Sequence, residues 1–173
     1  MTAAAGTRAA LARHAAVAGT AAVVLAVDVA SKRWIEAAYG LGEGVWLVEG
    51  VFKIVHVRNP GVAFGMFGTL AWRYRVPFFL LTLAAAAWLL AHLWGQASRT
   101  LAGRLALGMI AGGAVGNLVD RFRYGEVVDF LDVWIGRFHW PTFNAADSAI
   151  CVGTGLLMLV LWRVPEEAPS TPS

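Results

Sequence analysis

The chain has a single cysteine and little charge. Of its 173 residues only 14% are charged and 58% are hydrophobic, whereas about a quarter of a soluble domain is charged. Because Cys151 is the single cysteine, an intrachain disulfide and a thiolate metal cluster are excluded. The apolar residues around it in the sequence predict that its side chain packs in the core. The basic residues form no stripe, so nucleic acid is not an expected partner. The histidines lack ligand spacing, and no metal is predicted.

The sequence instead contains long runs of apolar residues. A membrane-spanning helix needs about 20 mainly apolar residues, and four runs approach that length. We therefore predict one integral membrane domain over residues 1–173, mainly α, whose last part, about 165–173, is a disordered Pro/Ser/Glu-rich tail. The four predicted transmembrane helices cover about 15–32, 76–95, 104–121 and 146–163.

Two long segments, about 33–75 and 122–145, separate the spans. The part from Val45 to Arg58 is rich in valine, isoleucine and aromatic residues, which predicts β-structure, and Asn59-Pro60-Gly61 predicts a turn. Four spans put both long segments on one side of the membrane. Nine of the 14 basic residues lie on that side, so a raw count by the positive-inside rule favours its placement in the cytoplasm.

Polar residues lie at the helix ends on the long-segment side. Asp28 and Lys32 are four residues apart, so they share a helix face and are expected to pair. The pair is either a structural ion pair or part of a substrate site. Gly108, Gly112 and Gly116 recur at four-residue spacing in the third run, which predicts close approach to a neighbouring helix.

The third run ends in a second group of polar residues. Asn117, Asp120 and Arg121 are three and four positions apart, so they share a face that we expect to point away from lipid. Asp120 and Arg121 are either a pair that reaches toward the membrane interface or, together with Asn117, part of a polar site.

Two further acids suggest chemistry. Asp129 stands between Val128 and Phe130, where a carboxylate would be desolvated. Asp147 opens the fourth run three residues after Asn144, a candidate N-cap. If Asp129 and Asp147 meet, one carboxyl stays protonated near neutral pH while the other activates water, which is aspartyl peptidase chemistry. Asp132 is interpreted as a solvated neighbour and left out of this site.

Three functions are compatible with polar residues buried in a membrane. They are a peptidase that uses the two aspartates, a small transporter or proton relay, and a structural subunit whose charges tie helices together. The β-prone segment and the clustering of the polar blocks toward one side favour the peptidase.

Five sequence blocks, in this order, resemble the lipoprotein signal peptidase (signal peptidase II) family of membrane aspartyl peptidases. Each block is modest alone, but together they are highly specific and extend over most of the chain between Asp28 and Ile150. The blocks are DVASK with Asp28 and Lys32, RNPGVAFG from Arg58 to Gly65, GGAVGNLVDR from Gly112 to Arg121, VVDFLD around Asp129, and FNAADSAI from Phe143 to Ile150.

The resemblance implies a fold and an activity. The fold has four transmembrane helices with a small extracytoplasmic β-rich cradle and an extracytoplasmic loop over the site. The protein is expected in the bacterial cytoplasmic membrane with both termini in the cytoplasm, against the raw charge count. The expected reaction removes the signal peptide from prolipoproteins, before a cysteine that carries a diacylglyceryl group. The expected partners are these substrates and membrane lipid, no cofactor is needed, and the enzyme is expected to work as a monomer.

The resemblance also assigns roles to residues. Asp129 and Asp147 match the catalytic pair, and Asp28 and Lys32 match positions that support the fold. The positions that bind substrate or shape the site correspond to Asn59, Gly61, Asn117, Asp120, Arg121 and Asn144.

Overall fold

A computed structural model describes residues 2–60 and 72–163. Each of the four apolar runs lies within a helix of this structure, and the strands lie in the two long segments. The elements in chain order are α1 (Thr2–Ala38), β1 (Gly44–Val48), β2 (Phe52–Asn59), α2 (Trp72–Ala97), α3 (Leu101–Tyr124), β3 (Val127–Ile135), β4 (Phe138–Phe143) and α4 (Ala145–Arg163). The predicted tail and Gly61 fall outside the described residues.

Helices dominate the fold, as predicted. Among the described residues, three helical stretches are long and apolar enough to cross a membrane, and they are Gly6–Ala38, Leu101–Tyr124 and Ala145–Arg163. At 1.5 Å per residue, the 37 residues of α1 extend about 55 Å. This exceeds the hydrocarbon thickness of about 30 Å, so α1 is long enough to continue beyond the bilayer.

The helix α3 packs between α1 and α4. A Cβ atom on Gly112 would lie 2.6 Å from the carbonyl oxygen of Ala21 on α1. On the other side of α3, a Cβ atom on Gly113 would lie 2.5 Å from the carbonyl oxygen of Ala146 on α4. Only glycine permits backbones to approach this closely, so the predicted role of the glycine stripe is confirmed.

The four strands form one antiparallel sheet in the order β1-β2-β3-β4. The β-structure predicted between Val45 and Arg58 is confirmed as β1 and β2. No strand was predicted in the second long segment, yet β3 and β4 lie there. Four consecutive residues of β3, Val127 to Phe130, are buried, and a strand buried on both faces lacks the polar alternation that marks a half-buried strand.

The sheet packs on the ends of α1 and α4. Ile35 of α1, Ile54 of β2 and Phe130 of β3 form a buried apolar cluster, against which Ala145 of α4 also packs. Gly125 ends α3 with a positive φ of 72°, a conformation in which glycine lacks the steric penalty of other residues. The chain therefore turns sharply from α3 into β3, and β3 runs beside the helix ends.

Cys151 corrects one expectation. It lies exposed on α4 rather than in the core. A helix that spans a membrane is apolar both where it packs and where it faces lipid, so hydrophobicity alone does not identify the packed face.

Candidate active site

Asp129 lies on β3 and is almost fully buried. Its exposed fraction is 2%, and its neighbours Val128 and Phe130 are exposed by 0% and 7%. Its backbone pairs with Val57 of β2. The predicted desolvation of this carboxyl is therefore present in the structure.

Asp147 lies in the first turn of α4, where Asn144 is the N-cap residue. The Asn144 Oδ1 accepts a hydrogen bond of 2.9 Å from the Asp147 backbone N–H. In return, the Asp147 Oδ2 accepts one of 3.3 Å from the Asn144 backbone N–H. This reciprocal arrangement is a capping box, and it fixes the Asp147 carboxylate at the positive end of the helix dipole.

Two asparagine side chains connect the aspartates. The Asn144 Nδ2 donates to the Asp129 Oδ1 over 2.7 Å and to the Asn117 Oδ1 over 3.0 Å. The Asn117 Nδ2 donates to the Asp147 Oδ1 over 2.7 Å. Asn144 therefore contacts both carboxyl-bearing residues directly, and Asn117 completes a closed network that brings Asp129 and Asp147 into one site.

The buried ammonium group of Lys32 contacts this network. The Lys32 side chain is 3% exposed, and its Nζ lies 2.7 Å from the Asp28 Oδ2, 2.9 Å from the Asp120 Oδ2 and 3.1 Å from the Asn117 Oδ1. A lysine ammonium group has three N–H donors, and three acceptors surround this one. The predicted pairing of Asp28 with Lys32 is confirmed, and Asp120 joins the pair.

The two carboxylates that pair with Lys32 also hold backbone next to the aspartates. The Asp28 Oδ1 accepts from the Ala146 N–H over 2.9 Å. The Asp120 Oδ2 accepts from the Val128 N–H over 3.2 Å. Ala146 directly precedes Asp147 and Val128 directly precedes Asp129, so the Lys32 cluster constrains the backbone at both acids.

Asn59 and Arg121 border the site. The Asn59 Nδ2 donates to the Asp129 Oδ2 over 2.9 Å. The Arg121 Nη1 donates to the Asn117 carbonyl oxygen over 3.4 Å, and its charge interacts with the carboxylates of Asp129 and Asp147. Of the residues predicted to shape the site, all but Gly61 lie in the described part of the chain, and these all meet around the two aspartates.

The prediction that Asp132 is exposed to solvent is wrong. It is 7% exposed, not solvated, and its carboxylate contacts His139 and Trp134. The alternation of side chains along a strand was a signal that could have separated Asp132 from Asp129, but β3 itself was not predicted.

The setting of Asp129 changes its acidity. Burial raises the pKa of Asp129 from 3.8 to about 7, and the negative charge of Asp147 acts in the same direction. The hydrogen bonds from Asn59 and Asn144 lower that pKa but only partly offset these effects. A pair of this kind shares one proton near neutral pH. It therefore offers one carboxylate as a base for water and one carboxyl group as an acid for a carbonyl oxygen.

Comparison with known proteins gives a consistent result. A family model described as signal peptidase (SPase) II matches residues 20–163. A lipoprotein signal peptidase of Syntrophotalea carbinolica is 48% identical over 144 residues, which are 83% of this chain and 88% of that protein. The lipoprotein signal peptidase of Geobacter sulfurreducens is 42% identical over 141 residues, which are 80% of this chain and 86% of that protein.

Solved structures resemble the fold as well. A bacterial membrane enzyme determined by the in meso method at 2.3 Å resolution superposes with a TM-score of 0.72 and 27% sequence identity. The match covers 89% of this chain and 92% of that one. A second structure with the same description, determined at 1.9 Å resolution, has a TM-score of 0.68 and 28% identity, over 84% of this chain and 92% of that one.

Proposed function

The chain belongs to the signal peptidase II family, and we propose that Asp129 and Asp147 are the catalytic pair with which this membrane peptidase removes signal peptides from prolipoproteins. The observation that carries the proposal is the shared contact of both acids with Asn144, whose side chain reaches Asp129 while its backbone and side chain cap Asp147. The family supplies the reaction class, which is aspartic endopeptidase hydrolysis.

The two aspartates take different roles in the proposed mechanism. Asp129, with a pKa raised to about 7, carries the shared proton, and the Asp147 carboxyl group, which accepts hydrogen bonds from the Asn117 Nδ2 and the Asn144 backbone N–H, acts as the base. Asp147 removes a proton from water as the water oxygen attacks the scissile carbonyl carbon, and Asp129 gives its proton to the carbonyl oxygen. When the tetrahedral intermediate collapses, the C–N bond breaks and the proton held by Asp147 passes to the leaving amine, while Asp129 takes back a proton from one hydroxyl of the intermediate as the new carboxyl group forms.

The surrounding polar residues hold this pair in place. Asn117 and Asn144 orient the carboxyl groups through the hydrogen bonds described above, and Asn59 contacts the outer oxygen of Asp129. Asp120 acts through Lys32 and the β3 backbone, and the guanidinium of Arg121 offers positive charge to the intermediate. Gly61 keeps its proposed role in shaping the site, on the strength of the family resemblance.

The proposed substrate explains the position of the site. We propose cleavage before a diacylglyceryl-modified cysteine, because a lipid-anchored substrate stays in the bilayer and presents its peptide bond at the interface. Asp147 lies in the first turn of α4 and is partly exposed, and Asp129 lies beside it on β3, so water at the interface can reach the pair. A site at the centre of a bilayer lacks that water. Membrane lipid is therefore a proposed partner of the enzyme. One copy of the chain contains all the residues of the hydrogen-bond network described above, so we propose that the enzyme works as a monomer.

The proposed topology has four spans, with both termini in the cytoplasm and the sheet outside the cytoplasmic membrane. The helix α2 would be the fourth span, since its 26 residues extend about 39 Å. The positive-inside count runs against this orientation, but Lys32 and Arg58 on the sheet side are bound in ion pairs with acids of α1 and α3. Such residues are retained for the fold and site and report little about topology.

A transporter or an assembly subunit would need no peptide site. Both alternatives account for buried charge, but neither accounts for the resemblance to lipoprotein signal peptidases over more than 80% of the chain. The peptidase is therefore the function retained.

The test is cleavage of a diacylglyceryl-modified prolipoprotein in liposomes. Wild type is compared with Asp129→Asn and Asp147→Asn, and circular dichroism establishes that each variant is folded. Glu49→Gln, on the exposed β1–β2 turn, is the matched control for loss of a carboxylate elsewhere. We expect cleavage by wild type and the control and none by either aspartate variant. Full cleavage by a folded aspartate variant would remove that residue from the catalytic pair.

A further inference from the structure

Asp132 forms a compact cluster on the β3–β4 hairpin, at a distance from the aspartate pair. One carboxylate oxygen lies 2.5 Å from the His139 Nε2, and the other accepts from the Trp134 Nε1 over 3.1 Å. The rings of Trp134 and His139 stack with centroids 4.2 Å apart. Asp132 is 7% exposed, whereas Ile135 and Phe138 at the hairpin tip are exposed, so the buried carboxylate is held by its own hairpin.

The cluster lies where the backbone pairing of this hairpin is irregular. Leu131 pairs with Phe143 and Val133 with Trp140, so β4 has one more residue than β3 between these pairs. An extra residue of this kind leaves part of the ladder unpaired. Pro141 lies in the same stretch and has no N–H to donate. The backbone alone therefore fixes the register of β4 weakly at this point.

The register of β4 against β3 affects the candidate site because β3 contains Asp129, while β4 leads into α4, which contains Asp147. Asp129 is three residues before Asp132 on β3, about 10 Å along the strand. At the other end, β4 leads through Phe143 directly to Asn144, whose side chain contacts Asp129. A slip of β4 against β3 would move Asn144 and the start of α4 relative to Asp129.

We propose that Asp132, Trp134 and His139 form a side-chain clip that holds β4 in register against β3 and thereby positions Asn144 and Asp147 relative to Asp129. The three are positioning residues, since they contact the hairpin and not the acids. The proposal rests on the catalytic role proposed above for Asp129 and Asp147.

The first test measures kcat and KM of Asp132→Leu, a substitution of similar size that cannot accept a hydrogen bond. Displacement of catalytic groups by about 1 Å costs up to about a hundredfold in rate, so we expect kcat to fall about 10- to 100-fold while KM stays within about twofold. Asp132→Asn should restore most of the rate, because its amide can accept from Trp134 and donate to His139. A folded Asp132→Leu with the kcat of wild type, or with a change in KM alone, would overturn the proposal.

A second variant covers the case in which Asp132→Leu does not fold. The His139 side chain is 41% exposed, so His139→Ala removes one arm of the clip without opening a buried cavity. We expect it to lower kcat in the same direction, and unchanged kcat in the folded variant would also overturn the proposal. Glu49→Gln on the neighbouring hairpin turn serves as the control and should leave kcat unchanged.

A double-substitution cycle separates positioning from general destabilisation. If the clip acts through Asn144, the combined loss of kcat in Asp132→Leu with Asn144→Ala should be smaller than the product of the two single losses. Multiplicative losses would indicate independent effects and refute the clip. Failure of the catalytic assignment is distinguishable, because it would show as cleavage by Asp129→Asn, whereas failure of the clip alone leaves Asp129→Asn inactive and Asp132→Leu fully active.

Discussion

Substituting Asp129 by asparagine should remove a pH dependence from the stability of the protein. Burial raises the pKa of this carboxyl from 3.8 to about 7, so between these values the folded state keeps a proton that the unfolded chain releases. A raised carboxyl pKa contributes stability that is complete below the unfolded value and is lost as the pH rises through the folded value. Asparagine has nearly the same shape and does not titrate.

The size of the effect follows from the two pKa values. Each unit of difference corresponds to about 1.4 kcal/mol, so the difference of about three amounts to about 4 kcal/mol of unfolding free energy. Wild type should lose this amount relative to Asp129→Asn between about pH 4 and about pH 8. Any cost of placing an amide beside Asn59 and Asn144 is independent of pH, so it cancels when the two pH values are compared.

The measurement is unfolding in detergent micelles, followed by the fluorescence of the eight tryptophans, at several pH values across this range. Glu49→Gln, which removes a carboxylate from an exposed turn, should follow wild type at every pH. The stability of Asp129→Asn should rise relative to both as the pH increases. A constant offset between Asp129→Asn and wild type would show that Asp129 ionises equally in the folded and unfolded states, and the assignment of the shared proton to Asp129 would fail.

Three further predictions concern activity and packing. The kcat/KM for prolipoprotein cleavage should fall as the pH rises above about 7, since the acid form of Asp129 is lost, and a flat pH–rate profile would contradict this. Asn144→Ala should lower the kcat of cleavage without abolishing it, which an activity assay measures, and should lose about 1 kcal/mol of stability with the N-cap, which thermal unfolding measures. Gly116→Ala places a Cβ atom 2.4 Å from the Asp28 Oδ2 and should destabilise by about 1–3 kcal/mol, whereas Gly155→Ala, with open space around it, should not.

Part of the candidate site could be predicted because the free-energy cost of burying a polar group was evident from the residues around it. A carboxylate between Val128 and Phe130 was expected to be desolvated, so Asp129 was singled out as a candidate site residue. Asp28 and Lys32 were predicted to pair because four residues make one helical turn, and they do pair. The glycine stripe likewise predicted close helix approach, since a four-residue repeat of glycine exposes backbone along one face.

Other features depended on contacts that the sequence does not display. Asp120 and Arg121 are adjacent in the chain and share one predicted face, but successive helical residues point about 100° apart. Asp120 therefore turns to Lys32 and the β3 backbone, while Arg121 lies over Asn117. Asp132 was interpreted as solvated because its partner His139 belongs to a strand that local polarity did not predict.

The Lys32 ammonium group is linked through Asp28 and Asp120 to the backbone beside both Asp129 and Asp147, and this link can be tested. Lys32→Met would leave the carboxylates of Asp28 and Asp120 buried without their cation, and removal of one partner of a buried ion pair costs about 3–5 kcal/mol. Because Asp28 holds the Ala146 N–H and Asp120 holds the Val128 N–H, cleavage should be lost as well.

Neutralising one carboxylate should then recover part of the lost stability. In Asp28→Asn with Lys32→Met, one buried charge is gone and the asparagine oxygen can still accept from the Ala146 N–H. The double variant should therefore unfold at a higher temperature than Lys32→Met alone. If the double variant is no more stable than the single one, the uncompensated charge is not the cause of the loss, and the link between Lys32 and both aspartates must lie in packing.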